Sequence, residues 1–129
     1  VSPRGPRRSA GILLHRRRGE ELEVLLVHPG GPLWARRDEG AWSIPKGEYA
    51  DVEDPLAGAR REFEEELGSS PPPGDVVELG EVRQKSGKLV RAWALPGDLD
   101  TRTVTSNTFE MEWPRRSGRK IEVPEVDRA

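Results

Sequence analysis

Gly47-Glu48-Tyr49-Ala50-Asp51-Val52-Glu53 runs directly into Asp54-Pro55-Leu56-Ala57-Gly58-Ala59-Arg60-Arg61-Glu62-Phe63-Glu64-Glu65-Glu66-Leu67-Gly68, and the spacing within this stretch decides how the chain folds. The segment from Asp54 to Gly68 has the punctuation of one short helix. Asp54 can accept from the first free amides as N-cap, Pro55 suits the first helical position, and Gly68 can take the left-handed conformation that ends it. About 13 helical residues follow, close to the common length. Leu56, Ala59, Phe63 and Leu67 recur at i, i+3, i+7 and i+11, which is one apolar stripe facing a core. Glu62, Glu65 and Glu66 fall on the adjoining face, where like charges three and four residues apart repel by roughly 0.2–0.5 kcal/mol per pair.

A cation would remove that conflict. Hard carboxylate oxygens suit Mg²⁺ or Mn²⁺, which keep several waters and bridge protein carboxylates to substrate phosphates. A solvated acidic helix face would also account for glutamates at this spacing, with Arg60–Glu64 and Arg61–Glu65 as ordinary i, i+4 pairs. The whole pattern tips the balance. It fixes seven positions across 22 residues, including a glycine and a glutamate well before the helix.

Gly47, Glu53, Arg61, Glu62, Phe63, Glu65, Glu66 and Gly68 together resemble the signature of the Nudix hydrolases. One position departs: Ser69 stands where that family usually has an aliphatic residue, at a packing position. Ala10-Gly11-Ile12-Leu13-Leu14 is similar to the family's opening strand, and Trp42-Ser43-Ile44-Pro45-Lys46-Gly47 to the run into the signature. The resemblance implies an α/β (α+β) fold, an α/β/α sandwich with a central mixed sheet. It also implies that the Gly47 carbonyl and the carboxylates of Glu62, Glu65 and Glu66 hold Mg²⁺ or Mn²⁺, with Glu62 and Glu66 the strongest ligands. The ions would polarise phosphoryl oxygens for in-line attack by water. A carboxylate must also orient that water. Glu62 and Glu65 are candidates within the helix and Glu110 and Glu112 outside it, with Glu112 slightly preferred. Arg61 is expected to orient a signature carboxylate.

The resemblance further implies hydrolysis of a pyrophosphate linkage in a nucleoside diphosphate joined to another group. Pro45-Lys46-Gly47 resembles the run in dinucleoside polyphosphate and nucleoside triphosphate enzymes of the family, so these are the first substrates considered. A non-catalytic nucleotide- or protein-binding module is the alternative, and the complete set of signature carboxylates favours the enzyme. Lys46 beside the glycine is a candidate phosphate contact, weighed evenly against a solvated lysine. Trp42 is the tryptophan singled out for base stacking, and Lys85 is a further substrate contact, against the ordinary reading of an exposed turn lysine.

Length and charge bound the rest. The chain has 129 residues and a net charge of −2, with 34% charged and 33% hydrophobic residues, which suits one small globular domain. Residues 47–69 hold eight acids and two bases, so the remainder is mildly basic. Such a patch repels polyphosphate until a divalent ion is bound. There is no cysteine, which removes disulfides and thiolate metal sites. No apolar run reaches spanning length, so no membrane association is expected and the cytoplasm is the expected compartment. Residues 1–8 read as a flexible basic arm and 9–129 as the domain; arginines among proline and glycine are weak support for a nucleic-acid partner. Strands are expected at Ala10 to His15, Leu22 to His28, Trp42 to Pro45, Val76 to Gln84 and Leu89 to Leu95, the last two joined by a turn at Lys85-Ser86-Gly87-Lys88. The family resemblance implies a closing helix after Glu125-Val126-Asp127, which this chain is expected to lack. An apolar sheet face would then be left uncovered, favouring a homo-oligomer or an exchanged element.

Overall fold

The computed structural model of the chain describes residues 7–129. Its centre is β1 (Arg8–Arg18), whose alternation sends Ala10, Ile12 and Leu14 to one face and Ser9, Gly11, Leu13 and His15 to the other. β2 (Glu21–Val24) pairs antiparallel with the end of β1, and β3 (His28–Pro29) lies apart from it. The expected strand Leu22 to His28 is therefore divided in two. β4 (Lys46–Glu48) pairs antiparallel with Ser9, Ala10 and Gly11. Trp42 to Pro45, expected as a strand, forms an isolated bridge from Ser43 to Val27, and the strand starts one residue after Pro45, whose ring cannot donate to a ladder.

β5 (Val77–Arg83) and β6 (Leu89–Pro96) make the expected hairpin, and β6 runs parallel to β1 from Arg8↔Leu89 to His15↔Pro96. The result is a mixed five-stranded sheet in the order β2-β1-β6-β5, with β4 on the β2 side of β1. β7 (Thr108–Glu112) and β8 (Lys120–Pro124) form a separate hairpin, and β9 (Val126–Arg128) pairs with β3. The basic arm expected over 1–8 falls largely outside the described residues. Its last two residues belong to the domain: the Arg7 carbonyl accepts from the Leu89 amide, and Arg8 opens β1.

The helix α1 (Pro55–Leu67) forms where its caps place it. Asp54 Oδ2 accepts from the Ala57 amide at 3.0 Å, and Gly68 closes the helix at φ 80° with its N–H on the Glu64 carbonyl. Such an N-cap is worth about 1 kcal/mol. Ala59, Phe63 and Leu67 are fully buried against Ile12, Leu14, Trp93 and Leu95, with Leu56 packed at the edge. Burying a side chain such as Phe63 contributes roughly 1.5–3 kcal/mol.

Among the described residues α1 is the one α-helix, and it covers one face of the sheet. The opposite face follows from the strand register. Rows Val82–Val90–Ser9, Val77–Ala94–Leu13 and Pro96–His15–Val24 cross it, with Leu22 beyond. Val82, Val77 and Leu22 are 65%, 62% and 59% exposed.

Candidate active site

β4 and α1 meet at the edge of the sheet, and their contact brings the acidic residues together. The Glu62 carboxylate lies directly over Gly47, so closely that a Cβ on residue 47 would overlap it. A glycine is required there for packing rather than for its dihedral freedom. One turn further on, the Glu66 carboxylate comes up against the Lys46 backbone. Glu125, between β8 and β9, supplies a third carboxylate. Oxygens of Glu62, Glu66 and Glu125 all lie within 4.8 Å of one another.

Arg61 organises the outer side of the cluster. Its Nε and Nη2 donate to both oxygens of Glu53 at 2.9 and 3.0 Å, its Nη1 donates to Glu62 at 2.9 Å and to Glu65 at 3.2 Å, and its Nη2 also reaches the Glu48 carbonyl. This planar fork is geometry a lysine cannot reproduce. The guanidinium holds Glu53 below the ordinary carboxylate range, and the Glu53 hydrogen bonds in turn hold Arg61 firmly charged.

The three clustered carboxylates move the other way. Burial pushes Glu66 up to about 8, and the charges of Glu62 and Glu125 add to the shift against the opposing Lys46 amide and ammonium. Burial also raises Glu62 and Glu125. Glu66 Oε2 is buried and has no hydrogen-bond partner. Left as anions, the three would repel in a poorly solvated corner; a cation bound by hard oxygen donors would resolve both the repulsion and the orphaned oxygen. The donor set fits Mg²⁺ or Mn²⁺.

The sequence-derived residues fall in different places. Gly47, Glu62 and Glu66 are in the cluster. Glu65 sits beside it, hydrogen-bonded to Arg61, and its backbone carbonyl accepts from Asn107. Glu112 and Glu110 lie in β7 with exposed side chains, Glu110 facing Lys120 at 3.8 Å, and neither joins the cluster. The outside glutamate that does is Glu125. Chain order pointed to 110–112; strand pairing places 125 there instead, because Asn107 and Glu125 are bonded across the base of the β7–β8 hairpin. Its one sequence signal was its proximity to the expected end of the domain.

Lys46 is half-buried, and burial lowers its pKa, aided by the charge of Lys88. Lys85 is exposed in the β5–β6 turn, so the lysine whose charge reaches Lys46 is Lys88. Trp42 is already engaged: its Nε1 donates to Asp38 at 2.6 Å, its ring meets His28 edge-on at 5.2 Å, and Arg128 stacks on it at 5.3 Å. His28, fully buried, is hydrogen-bonded to Asp127 and to the Arg37 carbonyl and anchors this corner.

Fold and site together define an α+β domain built around one carboxylate-bearing helix at the edge of a mixed sheet. The model of the NUDIX domain matches residues 5–114, and the chain belongs to that family. It is 36% identical over 117 residues to the nucleoside triphosphate pyrophosphatase/Nudix hydrolase fusion protein of Bifidobacterium longum (strain NCC 2705), an alignment covering 84% of this chain and 23% of the relative. The chain thus spans about a quarter of that curated relative. Among solved structures it resembles a Caenorhabditis elegans Ap4A hydrolase binary complex, with TM-score 0.54 and 23% identity over 77% of this chain and 71% of that one. It also resembles the NUDIX domain of Shewanella oneidensis NrtR complexed with ADP ribose, with TM-score 0.61 and 15% identity over 98% and 74%. Among the described residues, no helix is long and apolar enough to cross a membrane.

Proposed function

We propose that this chain is a divalent-metal-dependent pyrophosphohydrolase. It cleaves the pyrophosphate linkage of a nucleoside diphosphate joined to another group, with a nucleoside triphosphate or a dinucleoside polyphosphate as substrate. One observation carries the reading: three carboxylates converge over Gly47, and one of them has a buried oxygen that nothing in the protein satisfies. The 36% identity to a nucleoside triphosphate pyrophosphatase/Nudix hydrolase fusion protein, of which the match covers 23%, supports the Nudix hydrolase reading.

Glu62, Glu66, Glu125 and the Gly47 carbonyl would hold the metal, which when bound supplies charge neutralisation and Lewis acidity at the phosphoryl oxygens. Arg61 keeps Glu62 and Glu65 oriented through its fork. Glu65 stands outside the three-carboxylate cluster and is the carboxylate left to accept a proton from water. Lys46, half-buried beside Gly47, would meet a substrate phosphate. Stacking of a base on Trp42 would require Arg128 to leave its ring, so Trp42 serves chiefly to anchor its loop.

The test is Glu66→Gln, assayed by chromatography against a panel of nucleotides with Mg²⁺. The amide keeps the shape and removes the charge, so turnover should fall at least about a hundredfold while the fold survives, the scale of loss seen when a key electrostatic group is removed. Undiminished turnover at saturating Mg²⁺ would end the metal assignment.

A further inference from the structure

Glu125 reaches the carboxylate cluster from far along the chain, and three residues, Thr105-Ser106-Asn107, join it to the last turn of α1. Helix ends leave carbonyls without intrahelical partners, and two of these are taken here. The Asn107 amide donates to the Glu65 carbonyl at 2.8 Å, and the Thr105 amide donates to the Leu67 carbonyl at 3.1 Å. Thr105 lies so close to Gly68 that a Cβ on residue 68 would strike its carbonyl oxygen. This strap is thus keyed to the helix that bears Glu62 and Glu66.

Glu125 stands where the chain changes partners. β8 pairs with β7 and β9 with β3, and Glu125 falls between the two ladders. Its amide donates to the Asn107 carbonyl at 2.8 Å, and its carbonyl accepts from the Gly30 amide at 3.1 Å. One side chain completes the hold. Ser106 Oγ accepts from the Val126 amide at 3.0 Å and donates to the Asn107 carbonyl at 2.8 Å, using acceptor and donor at once. Among the described residues no other side chain is hydrogen-bonded to the backbone of Glu125 or Val126. Val126 is buried, so loss of the hydroxyl would leave its amide without a partner.

The backbone matters more for Glu125 than for its neighbours. Arg61 orients the Glu62 carboxylate at 2.9 Å, whereas among the described residues the Glu125 carboxylate has no hydrogen-bonded or ion-pair partner of its own. Where its oxygens go is therefore set by the bend at 125–126, which the Ser106 hydroxyl pins to the strap.

We infer that Ser106 is the positioning residue for Glu125, its hydroxyl fixing the third carboxylate relative to the helix that carries the other two. The role of Ser106 rests on the hydrolase reading for what Glu125 binds; the tether itself does not depend on a metal.

The experiment is calorimetric titration of Mg²⁺ into the whole chain, with amide hydrogen exchange of the same variants in EDTA. Ser106→Ala should weaken Mg²⁺ about tenfold, the lower end of what loss of a group behind a metal ligand costs. Ser106→Thr, which keeps the hydroxyl, should bind as wild type does, and Ser106→Val, with the shape of Thr but no hydroxyl, should behave as Ala does. In a Glu125→Gln background Ser106→Ala should cost nothing further, because a residue that acts through Glu125 then has no ligand to position. In EDTA the Glu125 and Val126 amides should exchange at least about tenfold faster in Ser106→Ala while the α1 amides are unchanged, a local loosening that general destabilisation does not produce. The role of Ser106 is overturned if Ser106→Ala binds Mg²⁺ as tightly as wild type or if its cost persists in full beside Glu125→Gln. It is overturned equally if exchange at 125 and 126 does not respond, or if the α1 amides accelerate with them. Glu66→Gln keeps the two readings apart. Equal Mg²⁺ affinity in wild type and Glu66→Gln, or no binding by wild type, would remove the metal assignment itself; a loss in Glu66→Gln beside an unaffected Ser106→Ala would remove only the role of Ser106.

Discussion

The chemistry turns on Glu66, whose pKa is raised to about 8 chiefly by burial. A carboxyl that holds its proton more tightly when folded than when unfolded contributes most stability below its unfolded value, near 4.5, and that contribution is lost as pH rises through the folded value. The metal-free protein should therefore lose stability between about pH 5 and 8, by an amount on the order of a few kcal/mol at most, with a matching fall in melting temperature. Glu53 and Asp100 are shifted downward by arginine partners, so their loss comes in acid, below pH 4.5, and does not overlap. Thermal melts in EDTA should show this decline in wild type and a much flatter profile in Glu66→Gln; a flat wild-type profile would contradict the burial of an uncompensated carboxylate. Mg²⁺ must displace the same proton, so its apparent affinity should climb toward about tenfold per pH unit up to about 8, as titration calorimetry in buffers of different ionisation heat would report. Ser69 offers a simpler case. Its Oγ is buried and unpartnered at the one signature position where the sequence departs from the family. Ser69→Val should stabilise by about 1 kcal/mol, the cost of leaving a buried polar group unsatisfied. That would appear as a rise of a few degrees in melting temperature with turnover unchanged.

At the scale of elements, the site is a contact between β4 and α1, and Gly47 is where that contact is tightest. Gly47→Ala would drive a methyl into the Glu62 carboxylate and move it away from Glu66. The expected outcome is a folded protein with Mg²⁺ affinity and turnover both reduced at least about tenfold, since even a small misplacement of a positioned group is costly; wild-type affinity in that variant would show that Glu62 can be re-seated freely. Much of this element pair was legible in the sequence because it is local. Caps, a 3.6-residue apolar stripe and the signature glycine Gly47 all lie within one short stretch, and α1 forms over Pro55–Leu67 accordingly. Glu125 was not legible, because it arrives through the β7–β8 hairpin and the β3–β9 pairing, contacts between residues far apart in sequence. The preference for Glu112 came from chain order, and an alternating strand simply turns that side chain to solvent. Lys85 and Lys88 bracket the same turn, and only the hairpin register decides which one's charge reaches Lys46.

Across the whole molecule the two faces of the sheet are unequal. One is closed by Ala59, Phe63 and Leu67 of α1. The other presents Leu22, Val24 and Val77 around the half-buried Leu13, with Val82 further along β5 beside the buried Val90 and Ser9. Contiguous exposed apolar surface of this kind marks a contact surface or an aggregation liability. The strand β5 compounds it, because it is an edge strand exposed along its whole length and carries unpaired backbone groups on its outer side. The chain should therefore self-associate through this face, in line with the sequence expectation that an uncovered apolar sheet face favours a homo-oligomer. Val77→Lys together with Val82→Glu would place one charge of each sign on this face without altering net charge, so any change reports apolar contact rather than overall repulsion. Sedimentation velocity across a concentration series should show association in wild type and its weakening by at least about tenfold in the double variant, the expected scale when two Val side chains, each worth roughly 1.5 kcal/mol or more, leave a buried interface. A wild-type chain that stays monomeric at high micromolar concentration would show that this face is tolerated in water, and the two-sided imbalance would then carry no consequence for assembly.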